Sequence, residues 1–339
     1  MTVGGMSNVL AAKGLRKSFP GRGGPVEAVR GVDLRVRAGE VFGFLGPNGA
    51  GKTTTLRMLA TLLPIDAGSA HIAGVDVRRD PAEVRRRIGY VGQVGGADLP
   101  ATGRENLLLQ GRLHGASRAA AARRADELVD VLALGEFVDR RAATYSGGQR
   151  RRLEVALGLM HSPALLFLDE PTTGLDPQNR ANLWDQLRAL RARGTTIFLT
   201  THYLEEADAL ADRLAIIDRG RVVAEGTPAE LKRQVGGETV LLRPGPGPTT
   251  PDRLRTLLDE QPFVRESRLA GDTLYLTIGD GSRTLPRLLA ALAEHQVTLE
   301  TISLSAPSLD DVFLRTTGRA LRDAGTSLAV PAARQEVPA

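Results

Sequence analysis

The apolar positions of this chain repeat with two different periods. Residues 9–19 and 32–37 alternate apolar and charged side chains, as strands buried on one face do. Gly21–Pro25 between them reads as a hairpin loop. Val41–Leu45 and Leu165–Leu168 are short unbroken apolar runs, the pattern of strands buried on both faces. Thr53–Leu63, 81–88, Leu153–His161, Arg180–Arg193 and Leu204–Ala211 carry helical spacing, with Pro81 at a helix start. Thr195–Thr200 predicts another strand, and Leu214–Asp218 and Arg221–Glu225 flank a turn at Gly220. Residues 103–133 are rich in Ala, Leu and Arg, hold no strand-like run and predict a helical insert. Strands alternating with helices predict an α/β core with parallel strands.

The composition shifts at Gly236–Gly237 and again at Pro244–Pro248, which puts a domain boundary near residue 235. Beyond it Thr239–Arg243, Pro251–Asp259, Val264–Leu269, Thr273–Ile278, Leu285–Glu294, Leu299–Leu304 and Asp310–Leu321 predict the order β, α, β, β, α, β, α. That order fits a small α+β domain of ferredoxin-like type with a closing helix. Residues 1–8 are small and polar, and 323–339 are rich in Ala and Pro; both read as disordered tails.

Composition narrows the class. With 339 residues, 42% apolar and 24% charged, the chain can bury a sizeable core, which excludes a disordered chain or a collagen-like fibre. It has no cysteine, so disulfides, cysteine nucleophiles and thiolate metal sites are excluded. No apolar run approaches the roughly 18 residues of a membrane span; Leu165–Leu168 and Leu288–Ala293 are core-sized. Met1–Leu10 lacks a basic segment leading into an apolar one, so no secretory signal is expected and the expected compartment is the cytoplasm. The net charge of +5 is carried almost wholly by arginine, because lysine occurs only at Lys13, Lys17, Lys52 and Lys232. The Arg85–Arg87 and Arg150–Arg152 runs are too short for a nucleic-acid footprint and read as solvated or helix-facing.

Three stretches carry candidate chemistry. Gly46-Pro47-Asn48-Gly49-Ala50-Gly51-Lys52-Thr53 matches the phosphate-loop pattern G-x-x-x-x-G-K-[ST], with an apolar strand before it and a helix after. Glycines let backbone N–H groups wrap phosphates, and the helix N-terminus adds positive potential. Lys52 would reach the β and γ phosphates, and the Thr53 hydroxyl would ligate magnesium. Leu165–Leu168 runs into Asp169 and Glu170, and acids at the end of a parallel strand lie where ligands bind. Asp169 would hold magnesium and Glu170 would orient the attacking water. A helix cap or a surface acid pair would explain these two acids alone; beside a phosphate loop the catalytic reading is preferred. Tyr145-Ser146-Gly147-Gly148-Gln149 opens a helix, with Ser146 as a good N-cap and glycines that leave N–H groups free. It reads as a second anion site, although a plain capped helix would explain it as well.

In this order the motifs resemble the ATP-binding subunits of ABC transporters, over residues 9–232. In that register Gly46–Thr53 is the Walker A motif, Gln93 the Q-loop, Tyr145–Gln149 the signature and Leu165–Glu170 the Walker B motif. Pro171–Asp176 holds the D-loop and His202 is the switch histidine. The resemblance implies a P-loop NTPase cassette at 9–235, with a mixed sheet and a helical subdomain at about 95–160. An α+β accessory domain at 236–318 and a tail at 319–339 follow.

It also implies roles for named residues. ATP would be bound by Phe19 (stacking on adenine), Gly46 to Thr54, Ser146, Gly147, Gly148, Gln149 and Asp176, with Ser146 and Gly148 of one copy completing the site of a second packed head to tail. Magnesium would be held by Thr53, Gln93 and Asp169, and Lys52, Gln93, Glu170 and His202 would serve hydrolysis. Tyr145 stands where leucine is commoner, at a position that packs beside the anion site.

Val41–Leu45, Thr102–Leu107 and Ser308–Gly318 further resemble daunorubicin-resistance-type exporter ATPases, although a capped helix would also explain the last stretch. The implied protein is a homodimeric ATPase at the cytoplasmic face of the cell membrane. It would drive a separate multi-span permease through Gln93 and the insert at 95–145, while the permease contacts the exported hydrophobic drug or natural product. Two alternatives stay open from sequence. A soluble ABC ATPase on nucleic acid or ribosomes is permitted by the basic balance, although there is one cassette and no sustained heptad pattern and no nucleic acid is expected. The ATPase of an importer is the other.

Overall fold

A computed structural model describes residues 8–21, 24–279, 281–305 and 307–317, and these fall into two units that divide between Pro228 and Ala229. In the first unit the predicted amphipathic strands form an antiparallel pair, β1 (Asn8–Phe19) and β2 (Val26–Arg37). Leu10, Ala12 and Leu15 on β1 face Val36, Leu34 and Val32 on β2, and all six are buried. β2 starts at Val26, ahead of the expected residue 32, because ladder pairing to β1 from Arg16 to Phe19 carries the less regular stretch.

The apolar run β3 (Val41–Leu45) leads through the phosphate loop into α1 (Lys52–Leu59). Next come β4 (Ala67–Ile72), β5 (Val75–Asp76), α2 (Pro81–Arg87) and β6 (Ile88–Val91). The expected helical insert is two helices, α3 (Gly103–Leu113) and α4 (Arg118–Val131). Gly115 at φ 85° ends the first, and Ser117 caps the second. The unit continues through α5 (Gly147–Leu159), β7 (Leu165–Asp169), α6 (Pro177–Ala192), β8 (Ile197–Thr201), α7 (Leu204–Leu210), β9 (Arg213–Asp218) and β10 (Arg221–Gly226).

Two sheets result, ordered β2-β1-β4-β5 and β10-β9-β3-β8-β7-β6. In the larger one all neighbours are parallel except β10, which is antiparallel to β9. β3, β7 and β8 are buried along their whole length, and Phe198 packs against Phe42 (5.5 Å between ring centroids), Phe44 (5.7 Å) and Phe167 (5.5 Å). Because β3, β8 and β7 are adjacent and parallel, the segments following them emerge at one edge of the sheet, where ligands bind in such folds.

The second unit opens on α8 (Pro228–Val235) and continues as β11 (Glu238–Pro244), α9 (Pro251–Asp259), β12 (Val264–Ala270), β13 (Thr273–Ile278), α10 (Gly281–Glu294), β14 (Leu299–Ser305) and α11 (Leu309–Thr317). The sheet order β12-β13-β11-β14, antiparallel throughout, is that of a ferredoxin-like domain. Its core includes Val240, Leu242, Leu254, Leu274, Leu276 and Leu288. The boundary precedes the expected position near 235 because α8 is tied into this unit: Arg315 donates to Gln234 O (3.0 Å) and to Val235 O. The expected end of the last helix and the tail at 319–339 lie outside the described residues.

Candidate functional site

The glycines of the loop after β3 are required by what surrounds them. A Cβ at Gly46 would lie 2.3 Å from Ile217 O, and one at Gly51 (φ 106°) would lie 2.4 Å from Ala28 O. The loop is thereby wrapped tightly, with Lys52 folded back inside it. Lys52 Nζ donates to Gly46 O (2.7 Å) and Pro47 O (3.1 Å) and lies 3.2 Å from Glu170 Oε1. Asn48 and Gly49 are exposed, Pro47 and Ala50 are buried, and Thr53 and Thr54 are partly buried at the start of α1.

Asp169 closes β7 and is fully buried. Its Oδ1 accepts from Thr200 Oγ1 (2.7 Å) on β8 and from Thr53 Oγ1 (3.1 Å). Its Oδ2 is buried without a hydrogen-bond partner. Gln93, just beyond β6, brings Nε2 to 3.5 Å from Thr53 Oγ1. A carboxylate oxygen, a hydroxyl and an amide thus converge, with one acceptor left open. The carboxylate and the hydroxyl are hard oxygen ligands of the kind that hold Mg2+ when substrate phosphates supply the rest. Among the described residues there is no group of three or more His, Asp or Glu side chains that could hold a metal ion.

Glu170 is held in an unusual conformation. Its φ of 47° is left-handed, and its N–H donates to Thr200 O (3.1 Å) and Thr200 Oγ1 (3.0 Å). A side-chain residue pays strain there only where its surroundings dictate it. Glu170 Oε2 lies 3.3 Å from His202 Nδ1 and accepts from Thr173 Oγ1 (3.3 Å). Burial pushes the Glu170 carboxyl up, but the His202 imidazole and the Lys52 ammonium together outweigh it and hold the group at about 2. Burial lowers Lys52 against the opposing pull of Glu170 and Asp169.

The second anion stretch is built differently. Ser146 caps the 13-residue α5 in a reciprocal box: its Oγ accepts from Gln149 N (3.2 Å) and its N–H donates to Gln149 Oε1 (3.0 Å). Ser146 and Gly147 are exposed. Gly148 is buried, and a Cβ there would meet Asn179 Oδ1 at 2.2 Å. Tyr145 is buried, donating to Phe137 O (2.7 Å). Asp176 caps α6 by accepting from Asn179 N (2.9 Å). Among the described residues no hydrogen bond or ion pair joins Ser146, Gly147, Gly148 or Gln149 to residues 46–54. Phe19 ends β1 half-buried, with Lys17 Nζ 5.6 Å from its ring centroid.

Two further residues, Thr200 and Arg151, hold the site together. Thr200 holds both Asp169 and Glu170, and its signal was a hydroxyl at the end of the strand beside β7. Arg151 belongs to the run expected to be solvated or helix-facing, yet it is 7% exposed and bonds carbonyls on two other segments. An arginine run carries no signal for which member turns inward.

Residues 29–173 match the ABC transporter family, and residues 226–317 match the ATP-binding protein DrrA1-3-like C-terminal domain. The daunorubicin/doxorubicin resistance ATP-binding protein DrrA of Streptomyces peucetius is 47% identical over 94% of this chain and 96% of its own length. The chain belongs to the ATP-binding subunits of ABC transporters. Within that family the linearmycin resistance ATP-binding protein LnrL of Bacillus subtilis is 34% identical over 93% of this chain and all of its own. The dimeric structure of MJ0796, a bacterial ABC transporter cassette, superposes with a TM-score of 0.59 at 26% identity, covering 64% of this chain and 98% of that one. This ABC subunit is an exporter-type ATP-hydrolysing enzyme that uses ATP with Mg2+. Among its described residues no helix is long and apolar enough to cross a membrane.

Proposed function

We propose that this subunit binds Mg-ATP in the loop between β3 and α1 and uses Glu170 to orient the attacking water. The observation that carries the reading is the clustering of Lys52, Asp169, Glu170 and His202 at one sheet edge. With Glu170 at about 2, its carboxylate is ionised at physiological pH and able to accept from water. Lys52 would exchange Glu170 for phosphate oxygens, which frees the carboxylate. His202 would keep Glu170 in place and reach the γ phosphate. Thr53, Gln93 and Asp169 would hold magnesium, with Asp169 Oδ2 the buried acceptor available to it or its water. Bound magnesium would neutralise charge on the β and γ phosphates. Phe19 would stack on adenine.

The exposed helix N-terminus at Ser146 and Gly147 supports a head-to-tail homodimer in which Ser146, Gly147, Gly148 and Gln149 of each copy complete the other's site. A helix N-terminus presents backbone N–H groups and positive potential, which suits a phosphate brought by another copy. Gln93 and the α3–α4 insert would pass closure to a separate multi-span permease, with this chain peripheral on the cytoplasmic side. The transported substrate would be a hydrophobic drug or natural product contacted by the permease, in keeping with the resistance proteins to which the chain is similar.

Glu170→Gln tests the core of this reading. The variant is expected to trap an ATP-bound dimer by light scattering, with hydrolysis reduced by about 100-fold or more, as for loss of a general base. Wild-type turnover by that variant would remove the role given to Glu170.

A further inference from the structure

Arg151 and Glu154, one turn apart on α5, form a buried ion pair of 2.9 Å with both side chains 8% exposed. A buried pair is stable only if its remaining hydrogen-bonding groups are satisfied. Here the guanidinium spends them on main-chain carbonyls. Nε donates to Pro171 O (2.8 Å), Nη1 to Gly92 O (2.7 Å) and Nη2 to Asp169 O (3.1 Å). Asp169 and Pro171 flank Glu170, and Gly92 precedes Gln93. A single rigid fork therefore grips the chain on both sides of the carboxylate and just ahead of the amide.

Glu154 completes the linkage. It lines a cleft of 240 Å³ that also holds Gln93, Arg151 and Glu170. It also lines a second cleft of 330 Å³ with Val94, Gly95 and Gly96, on the segment after Gln93. A Cβ at Gly95 would lie 2.0 Å from Glu154 Oε1, so this segment lies directly against the pair. Val94 beside it is 89% exposed.

We propose that Arg151, braced by Glu154, is a positioning residue that sets Glu170 against the Gln93 segment, so that displacement of that segment is transmitted to the carboxylate. Lysine could not do this: its ammonium is a point donor without the fork that spans three carbonyls. The proposal rests on the reading of Glu170 as the water-orienting group.

The test is steady-state ATP hydrolysis by the full-length chain. Arg151→Lys is expected to lower kcat by about 10- to 100-fold, the cost of misplacing a catalytic group by about 1 Å, with KM for ATP within about twofold. Arg151→Ala would leave a buried carboxylate unpaired and could unfold the chain. Arg151→Met combined with Glu154→Met removes both charges at similar volume. It should stay folded, with a melting temperature lowered by the three carbonyls left without a donor, bind ATP normally and still lose kcat. Wild-type kcat in the double variant, or a loss confined to KM, overturns the proposal. Glu170→Gln in the same assay separates the two levels. If that variant is inactive while the double variant turns over normally, only the role of Arg151 falls; if it turns over normally, the reading of the site falls and this proposal with it.

Discussion

Burial alone would favour a protonated Glu170, yet Lys52 and His202 keep it ionised, and this balance is where single residues decide the chemistry. Its pKa is lowered, so its contribution to stability is fully present above the ordinary carboxylate range and is lost progressively as pH falls from there through about 2. In 13C spectra of the glutamate carboxyls, Glu170 should stay ionised through the range where exposed glutamates titrate. His202→Ala should move its titration upward, because burial then loses an opponent. A wild-type Glu170 that titrates with the exposed glutamates would contradict this. Gly51 makes a second residue-scale case. Alanine there must adopt φ 106° and push against Ala28 O, so Gly51→Ala should abolish ATP binding and destabilise the chain by about 1–3 kcal/mol, measured by calorimetry and thermal melting. The residue types of the site were legible because phosphate binding restricts them so tightly. Thr200 and Arg151 were not, since any strand end can carry threonine and any helix arginine.

At the scale of elements, mutation can separate the capping duty of the start of α5 from the nucleotide duty proposed for it. Ser146→Ala should cost about 0.5–2 kcal/mol of stability, whereas Ser146→Gly, still a tolerated cap, should cost only a few tenths. If the hydroxyl also serves a nucleotide across a dimer interface, both variants should lose turnover alike. Turnover that tracks melting temperature would instead leave Ser146 as a cap only. Element order was readable because periodicity is local. Element limits were less so: β2 reaches back to Val26 on ladder pairing, and α10 starts at Gly281, ahead of the expected Leu285, and carries Pro286 inside. Pro286 lies in the second turn and cannot donate an i→i−4 hydrogen bond, so no local rule would have placed helix ahead of it.

At the scale of the molecule, the division into two units predicts where the chain can be cut. A fragment starting at Ala229 should be more stable than one starting at Gly236, by about 1 kcal/mol, because only the longer one keeps the carbonyls of Gln234 and Val235 for Arg315. Equal urea midpoints for the two would show that α8 adds nothing to the second unit. The amino-acid sequence by itself determined the nucleotide motifs, the family, the alternation of strands and helices and the βαββαβ order of the second unit. Each of these is written in spacings of a few residues or in residue types that the chemistry demands. Tertiary structure alone decided which distant segments meet. The order β3-β8-β7 brings Lys52, Asp169, Glu170 and His202 to one edge, and the packing of α5 turns Arg151 inward to hold three carbonyls. Strand order and helix packing depend on contacts between residues far apart in the chain, and no local period records them.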